Sequence, residues 1–371
     1  MSNIEWTDAT WNPVIGCTPV SPGCLNCYAA TMARRLEAMG KKEYQPRKVE
    51  VHTEDCQECQ GTGRDDDTGD CQICRGCMPL GRTIRIAEVK NGRAVFTGEV
   101  RCLPERLTEP LHWNRPRMVF VNSMSDLFHE AVPFEFIDRV FAVMALCPQH
   151  TFQVLTKRPE RMAEYLDATV SAFDGAILRP RAWERMCSHM RAIDEYADPT
   201  DLTPWPLPNL WLGTSGEDQD RANERVPHLM RCPAAVRFLS CEPLLGAVDL
   251  DACGATPCDA VDGFPDTIGC PKPCPGVNWV IVGGESGPHA RPCDVAWIRS
   301  IVRQCAEAGV PCFVKQLGAV PMNGPFRQQP VTGKIDSPAG GNGRRFVSRK
   351  GADPAEWPED LRVRQFPEVR R

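Results

Sequence analysis

The chain has 371 residues, 42% hydrophobic and 25% charged, with a formal net charge of −5 and a pI near 5.9. That makeup excludes a mostly disordered polymer and leaves no global basic field, so any nucleic-acid contact falls to a local patch such as Arg344, Arg345, Arg349 and Lys350. The length admits one large α/β domain with insertions or two ordinary domains.

The stretch Met1-Ser2-Asn3-Ile4-Glu5-Trp6 has no basic n-region or apolar h-region, and no apolar run approaches the ~20 residues of a bilayer span. The expected location is the cytoplasm, with no membrane partner. Twenty cysteines in such a chain argue for metal ligation over disulfides, because cytosolic thiols are kept reduced. Cys147, Cys187, Cys232, Cys305 and Cys312 lie singly in apolar segments and are expected to be small buried hydrophobes.

A short strand over Trp11 to Ile15 enters a C-x6-C-x2-C loop formed by Cys17, Cys24 and Cys27. A helix then runs from Cys27 with Leu25, Tyr28, Met32, Leu36 and Met39 on one face and stops at Gly40. Residues 1–39 thus read as a first βα unit with its cysteines at the strand's carboxyl end. Three thiolates on a four-iron cluster leave one iron free for a ligand. The alternative is a zinc site completed by a fourth ligand from elsewhere.

Residues 40–103 read as an inserted cysteine-rich lobe. Cys56, Cys59, Cys71 and Cys74 form C-x2-C-x11-C-x2-C, the four-thiolate pattern of a structural zinc site, with Cys77 as a spare and Gly61 and Gly76 permitting the tight turns. Their surroundings resemble one four-cysteine unit of the DnaJ-type cysteine-rich domain. An auxiliary iron–sulfur cluster is the other reading. A hairpin is expected within Thr83 to Val100 around Asn91-Gly92.

From 104 to 320, short apolar runs alternate with helix-like segments. Strands are expected at Val119 to Asn122, Phe152 to Leu155, Trp211 to Thr214, Val236 to Leu239, Val280 to Val282 and Phe313 to Lys315. Helices follow Pro133, begin near Pro159, run from about Asp220 to Met230, and carry Ile298, Ile301, Val302 and Cys305 on one face before Gly309. The excursion at 251–276 holds Cys253, Cys258, Cys270 and Cys274, which read equally as a structural metal site or as unliganded thiols. The extension 321–371, rich in Gly, Pro and Arg, is expected to be partly mobile.

This order predicts a TIM-barrel-like α/β fold, a full or partial (β/α) barrel, in preference to an open doubly wound sheet. In either case chemistry gathers at the strands' carboxyl ends. Those ends carry Ser123, Ser125, Asp126, Thr156, Lys157, Glu242, Glu285 and Lys315, the expected cofactor-binding residues; helix capping is the plainer role for any one of them.

The cysteine triplet followed by Tyr28 resembles the radical S-adenosylmethionine (SAM) superfamily, with six rather than three residues in the first gap. Asn122-Ser123-Met124-Ser125-Asp126-Leu127-Phe128 and Leu155-Thr156-Lys157-Arg158 are similar to strand-end segments of spore photoproduct lyase-like members. Val282-Gly283-Gly284-Glu285-Ser286-Gly287 and Phe238-Leu239-Ser240-Cys241-Glu242-Pro243-Leu244 resemble the phage Gp37/Gp68 family (DUF5131) over nearly the whole chain.

The radical SAM resemblance implies a [4Fe–4S] cluster on Cys17, Cys24 and Cys27 and SAM on its free iron. An electron from the cluster then yields a 5′-deoxyadenosyl radical, with modification or repair of a nucleobase as the implied chemistry. Ser123, Ser125 and Asp126 stand where SAM's amino group or ribose is bound. Glu285 comes later than the superfamily's Gly-Gly-Glu contact and reads as a pocket residue. An electron donor such as flavodoxin or ferredoxin is implied, as is a three-Cys-motif partner protein. The competing class is a non-catalytic, metal-stabilised barrel that binds a nucleotide or a protein partner. Metal-assisted hydrolysis ranks last, because the seven histidines are scattered.

Overall fold

The computed structural model describes residues 4–50, 64–65, 69–70, 81–166, 181–195, 205–257, 276–287, 289–322, 348 and 350–368. The chain divides into two compact units: Met1–Ile15, Val20–Asn26 and Val100–Arg371 form the larger, and Gly16–Pro19 with Cys27–Glu99 form the smaller.

In the larger unit seven strands, rich in Val, Ile, Phe and Trp, form one parallel sheet in unbroken chain order. They are β1 (Ala9–Trp11), β2 (Met118–Val121), β3 (Thr151–Thr156), β4 (Leu210–Ser215), β5 (Val236–Cys241), β6 (Trp279–Gly283) and β7 (Cys312–Gln316). An order that never reverses, joined by right-handed crossovers, sends every helix to one face. Outward-pointing Val119, Val121, Phe152, Val154, Leu210, Leu212, Val280 and Val282 accordingly share one core with the helices. Among the described residues no helix lies on the other face, which is buried by curling the sheet into a half-barrel filled with large side chains. Phe120, Trp211, Phe238, Trp279, Ile281 and Phe313 meet there with Trp6, in tilted and edge-on aromatic contacts. Gly213 leaves room for the Phe238 ring, which a Cβ would overlap.

In the larger unit the helices are Phe134–Ala145, Pro159–Leu166, Arg181–Ile193, Gln219–Arg231 and Val295–Glu307. The third was not anticipated from sequence. It packs on the first, where buried Asp138 accepts from Arg185 Nε and Tyr165 Oη, each at 2.8 Å. Cys147, Cys187, Cys232, Cys305 and Cys312 are buried as expected. Within residues 350–368 the extension is docked and not free: Val314 N donates to Val363 O, Gln365 N to Cys312 O and Trp279 Nε1 to Gln365 O, and Phe366 stacks on Trp279. This segment covers the outer edge of β7.

Two expectations near the first cysteines change. The sheet strand is Ala9–Trp11, whereas Val14–Ile15 pairs antiparallel with Arg101–Cys102. In the smaller unit the helix Tyr28–Ala38 buries Ala29, Ala30 and Ala33 and leaves Tyr28, Met32 and Met39 exposed, so its buried face is the small-residue face. That face lies on the hairpin Ala87–Lys90/Arg93–Phe96, which forms as expected. Asn91 and Gly92 both take positive φ, 51° and 75°, as its tight turn requires.

Candidate functional site at the strand carboxyl ends

Because the strands are parallel, their carboxyl ends lie at one rim, and the expected site residues fall there. Asp126, buried after β2, ties that strand's end to the next. Its Oδ1 accepts from Thr156 Oγ1 (2.7 Å) and Phe128 N (3.0 Å), and its Oδ2 from Lys157 N (3.0 Å) and Arg158 Nη1 (3.2 Å). Both oxygens, and the Thr156 hydroxyl, are thus engaged within the chain. Ser123 Oγ donates to Asn12 Oδ1 (3.1 Å) and Ser125 Oγ to Val14 O (2.8 Å). Asn122 sits at φ 60°, a left-handed conformation costly for a non-glycine residue, and its buried Nδ2 has no hydrogen-bond partner among the described residues.

A carboxylate paired with two cations at once is one the sequence reading passed over. Glu217, two residues beyond β4, has a fully buried side chain that meets Lys157 from the end of β3 and Arg225 from the helix Gln219–Arg231. Arg225 Nη1 lies 2.8 Å from Oε2, and Lys157 Nζ and the Ser21 hydroxyl donate to Oε1, the latter at 2.6 Å. Burial alone would raise this carboxyl. The charges of Lys157 and Arg225, with hydrogen bonds from Lys157 and Ser21, overcome that and hold it at about 2. Gly23 runs so close that a Cβ there would overlap the carboxylate.

A second carboxylate holds the same loop. Glu285, beyond β6, pairs with Arg291 Nη2 (2.7 Å) and Nε (2.9 Å) and accepts from Asn26 Nδ2 (3.0 Å), while Arg291 Nη1 donates to Pro22 O (2.9 Å). Burial opposes its ionisation, but the hydrogen bonds from Arg291 and Asn26 prevail and its carboxyl lies below the usual range. Asn26 also donates to His289 O at 2.8 Å, and its buried Oδ1 has no partner among the described residues. Farther along the rim Glu242 Oε2 lies 3.0 Å from Lys315 Nζ. Burial raises this carboxyl, and Lys315 offsets that only in part.

Segment Ser21–Asn26 is therefore fixed over the carboxyl ends of β4 and β6, and it carries Cys24, whose Sγ lies 3.7 Å from Ser21 Oγ. Cys17 and Cys27 belong to the smaller unit and are partly exposed. Among the described residues no group of three or more His, Cys, Asp or Glu is gathered as around a single metal ion. The surroundings of Cys24 suit one thiolate ligand of an iron–sulfur group. They offer the Cys24 thiol, cations to balance negative charge and, at Asn26 Oδ1, an acceptor without a partner among the described residues. Cys56, Cys59, Cys71, Cys74, Cys77, Cys258, Cys270 and Cys274 lie outside the described residues, as do Arg344, Arg345 and Arg349. Cys253 is buried in the helix-side core with its thiol pushed up to about 11 by burial.

Sequence reasoning missed Glu217, Arg225, Asn26 and Arg291. A signal existed for the first, since Ser215-Gly216-Glu217 ends a strand as the other rim segments do. Arg225 is hidden in a helix dense with charge.

No helix among the described residues is long and apolar enough to cross a membrane. No curated protein and no solved structure matches the chain significantly. A family model described as a protein of unknown function, DUF5131, matches residues 1–346. With nearly its whole length matched, this half-barrel protein belongs to the DUF5131 family.

Proposed function

We propose that the chain is a radical SAM-like iron–sulfur enzyme whose Cys17, Cys24 and Cys27 hold a [4Fe–4S] cluster. The observation that supports this most is the double clamp on Ser21–Asn26. Two carboxylates from separate strand ends, Glu217 and Glu285, hold a cysteine loop at the rim where parallel barrels carry out chemistry. A purely structural zinc knuckle has no need of that placement. When bound, the cluster would supply the electron that cleaves the sulfonium of SAM. The chain's own groups do the positioning: Lys157, Lys315 and Glu242 present charge at the rim, and Asn26 Oδ1 offers an acceptor to a donor on the ligand. Ser123, Ser125, Asp126 and Thr156 shape the rim through their bonds to Asn12, to the Val14 carbonyl and to one another.

The same reading includes a nucleobase substrate, an electron donor of the flavodoxin or ferredoxin type, and a three-Cys-motif partner. It places structural zinc on Cys56, Cys59, Cys71 and Cys74, and a further metal on Cys253, Cys258, Cys270 and Cys274.

The test is anaerobic purification and reconstitution, a count of iron and sulfide, and a search for 5′-deoxyadenosine after SAM and dithionite are added. Cofactor cleavage that vanishes in Cys24→Ala supports the proposal. Zinc alone, with no iron retained, refutes it and leaves a metal-stabilised binding protein.

A further inference from the structure

We propose that Glu217 is a positioning residue that holds the Ser21 proton away from Cys24 and so keeps a cluster on that cysteine strongly reducing. The inference rests on the cluster reading above and adds a role for a residue outside the cysteine triplet.

Ser21 has one proton and two candidate acceptors. Glu217 Oε1 lies 2.6 Å from its oxygen and Cys24 Sγ lies 3.7 Å away. An ionised carboxylate is acceptor-only, and an O–H···O⁻ bond at this length belongs to the strong, charge-assisted kind. Sulfur is a weak acceptor, and a thiolate bound to iron shares its charge with the metal. The proton therefore stays on the Glu217 side, and Ser21 presents a lone pair to Cys24. Lys157 and Arg225 maintain this by keeping Glu217 charged, and the carboxylate has lone pairs for all three donors. Gly23 lets the loop approach closely enough for the bond to form. Hydrogen bonds to cluster sulfurs are among the features that set the potential. A withheld bond leaves the electron-rich sulfur uncompensated and the cluster harder to reduce.

Glu217→Gln reverses the arrangement. Arg225 is 2% exposed and cannot turn to water, whereas Lys157 is 21% exposed and can, so the amide oxygen turns to Arg225. The amide NH2 then faces Ser21, donates to its oxygen and turns the Ser21 proton towards Cys24.

The experiment compares reconstituted wild type, Ser21→Ala, Glu217→Gln and the double variant by EPR-monitored redox titration, with iron content measured for each. Ser21→Ala should leave the midpoint potential at the wild-type value. Glu217→Gln should raise it, so that the reduced-to-oxidised ratio at the wild-type midpoint grows about tenfold, about 59 mV for one electron. The double variant should lose the part of that rise carried by the Ser21 proton and keep only what the lost carboxylate charge contributes; a double variant as high as Glu217→Gln overturns the proposal. A structural role alone would not make the second substitution reverse part of the first. A downward shift in Ser21→Ala, or an unmoved potential in Glu217→Gln, overturns the proposal. If Glu217→Gln retains no iron, exchangeable-proton ENDOR on the wild-type reduced cluster decides. A signal unchanged by Ser21→Ala supports the proposal, and an exchangeable coupling lost on that substitution overturns it. Wild-type protein that takes up no iron at all refutes the cluster reading itself, a result separate from any of these.

Discussion

Replacing Asp126 by Asn changes one atom and tests whether this carboxylate ties the ends of β2 and β3 together. Asp126 receives four donors, two on each oxygen, and is 5% exposed. An amide keeps one acceptor. The less costly orientation retains the oxygen towards Lys157 N and Arg158 and turns NH2 towards Thr156, which can rotate, and Phe128 N–H, which cannot. The substitution then leaves one buried donor unsatisfied, about 1–3 kcal/mol, and removes the charge opposite Arg158, about 1.5–3 kcal/mol. Arg158, 6% exposed, keeps the solvent-facing Glu130 as an ionic partner. The expected loss is about 3–5 kcal/mol, the range for breaking a buried ion pair. Equilibrium urea unfolding followed by tryptophan fluorescence reads it as a lower midpoint at constant m-value. A loss below about 1 kcal/mol would refute the assignment of Asp126 to strand-end tying.

Glu217 gives a pH signature. Its carboxyl is lower in the folded chain, about 2, than its ordinary 4.5, so its stabilisation is present above pH 4.5 and drains away as pH falls towards 2. Urea midpoints measured across that window should decline less steeply in Glu217→Gln, and an identical slope would count against the ion pairs. Gly213→Ala drives a methyl into the Phe238 ring and should cost about 1–3 kcal/mol by overpacking, seen as a lower thermal midpoint; Gly213→Ala with Phe238→Leu should recover part of it. Trp279→Phe removes the bond to Gln365 O and should speed deuterium exchange at Gln365 N about fivefold while the exchange of β4 is unchanged. Cys253 and Cys293, with thiols at about 11 and about 12, should resist iodoacetamide at pH 8 until urea unfolds the chain; rapid labelling of either would contradict their burial.

Much of the sheet was legible because its strands are short apolar runs separated by polar turns, and because the strand order follows the chain. The Asn91-Gly92 turn was legible for a backbone reason, since those residues tolerate positive φ. The helix Tyr28–Ala38 misled because periodicity locates an apolar face without saying that the face is buried. Against a two-stranded hairpin, Ala29, Ala30 and Ala33 permit the closer approach. The first strand slipped towards Val14–Ile15 because both pieces are apolar, and only pairing with Met118–Val121 or Arg101–Cys102 tells them apart. At the rim, Asp126 was visible as a residue, but its four donors were not, since they come from 2 to 32 positions away. The Ser21–Glu217 bond spans 196 positions and leaves no local pattern.

The sheet's one long detour lies between β1 and β2. Asp8 receives the Met118 amide from 110 positions away, and this connection is the longest between neighbouring strands of the sheet. The entropy of closing a loop grows only logarithmically, about 0.6 kcal/mol for each doubling of length. The seam between β1 and β2 is therefore a place where segments can be lengthened, shortened or exchanged at little cost to the half-barrel. From within that detour Ser21–Asn26 is anchored to the ends of β4 and β6 by Glu217 and Glu285, and Asn12 and Val14 to the end of β2, so these segments must keep their place while the lengths between them can vary.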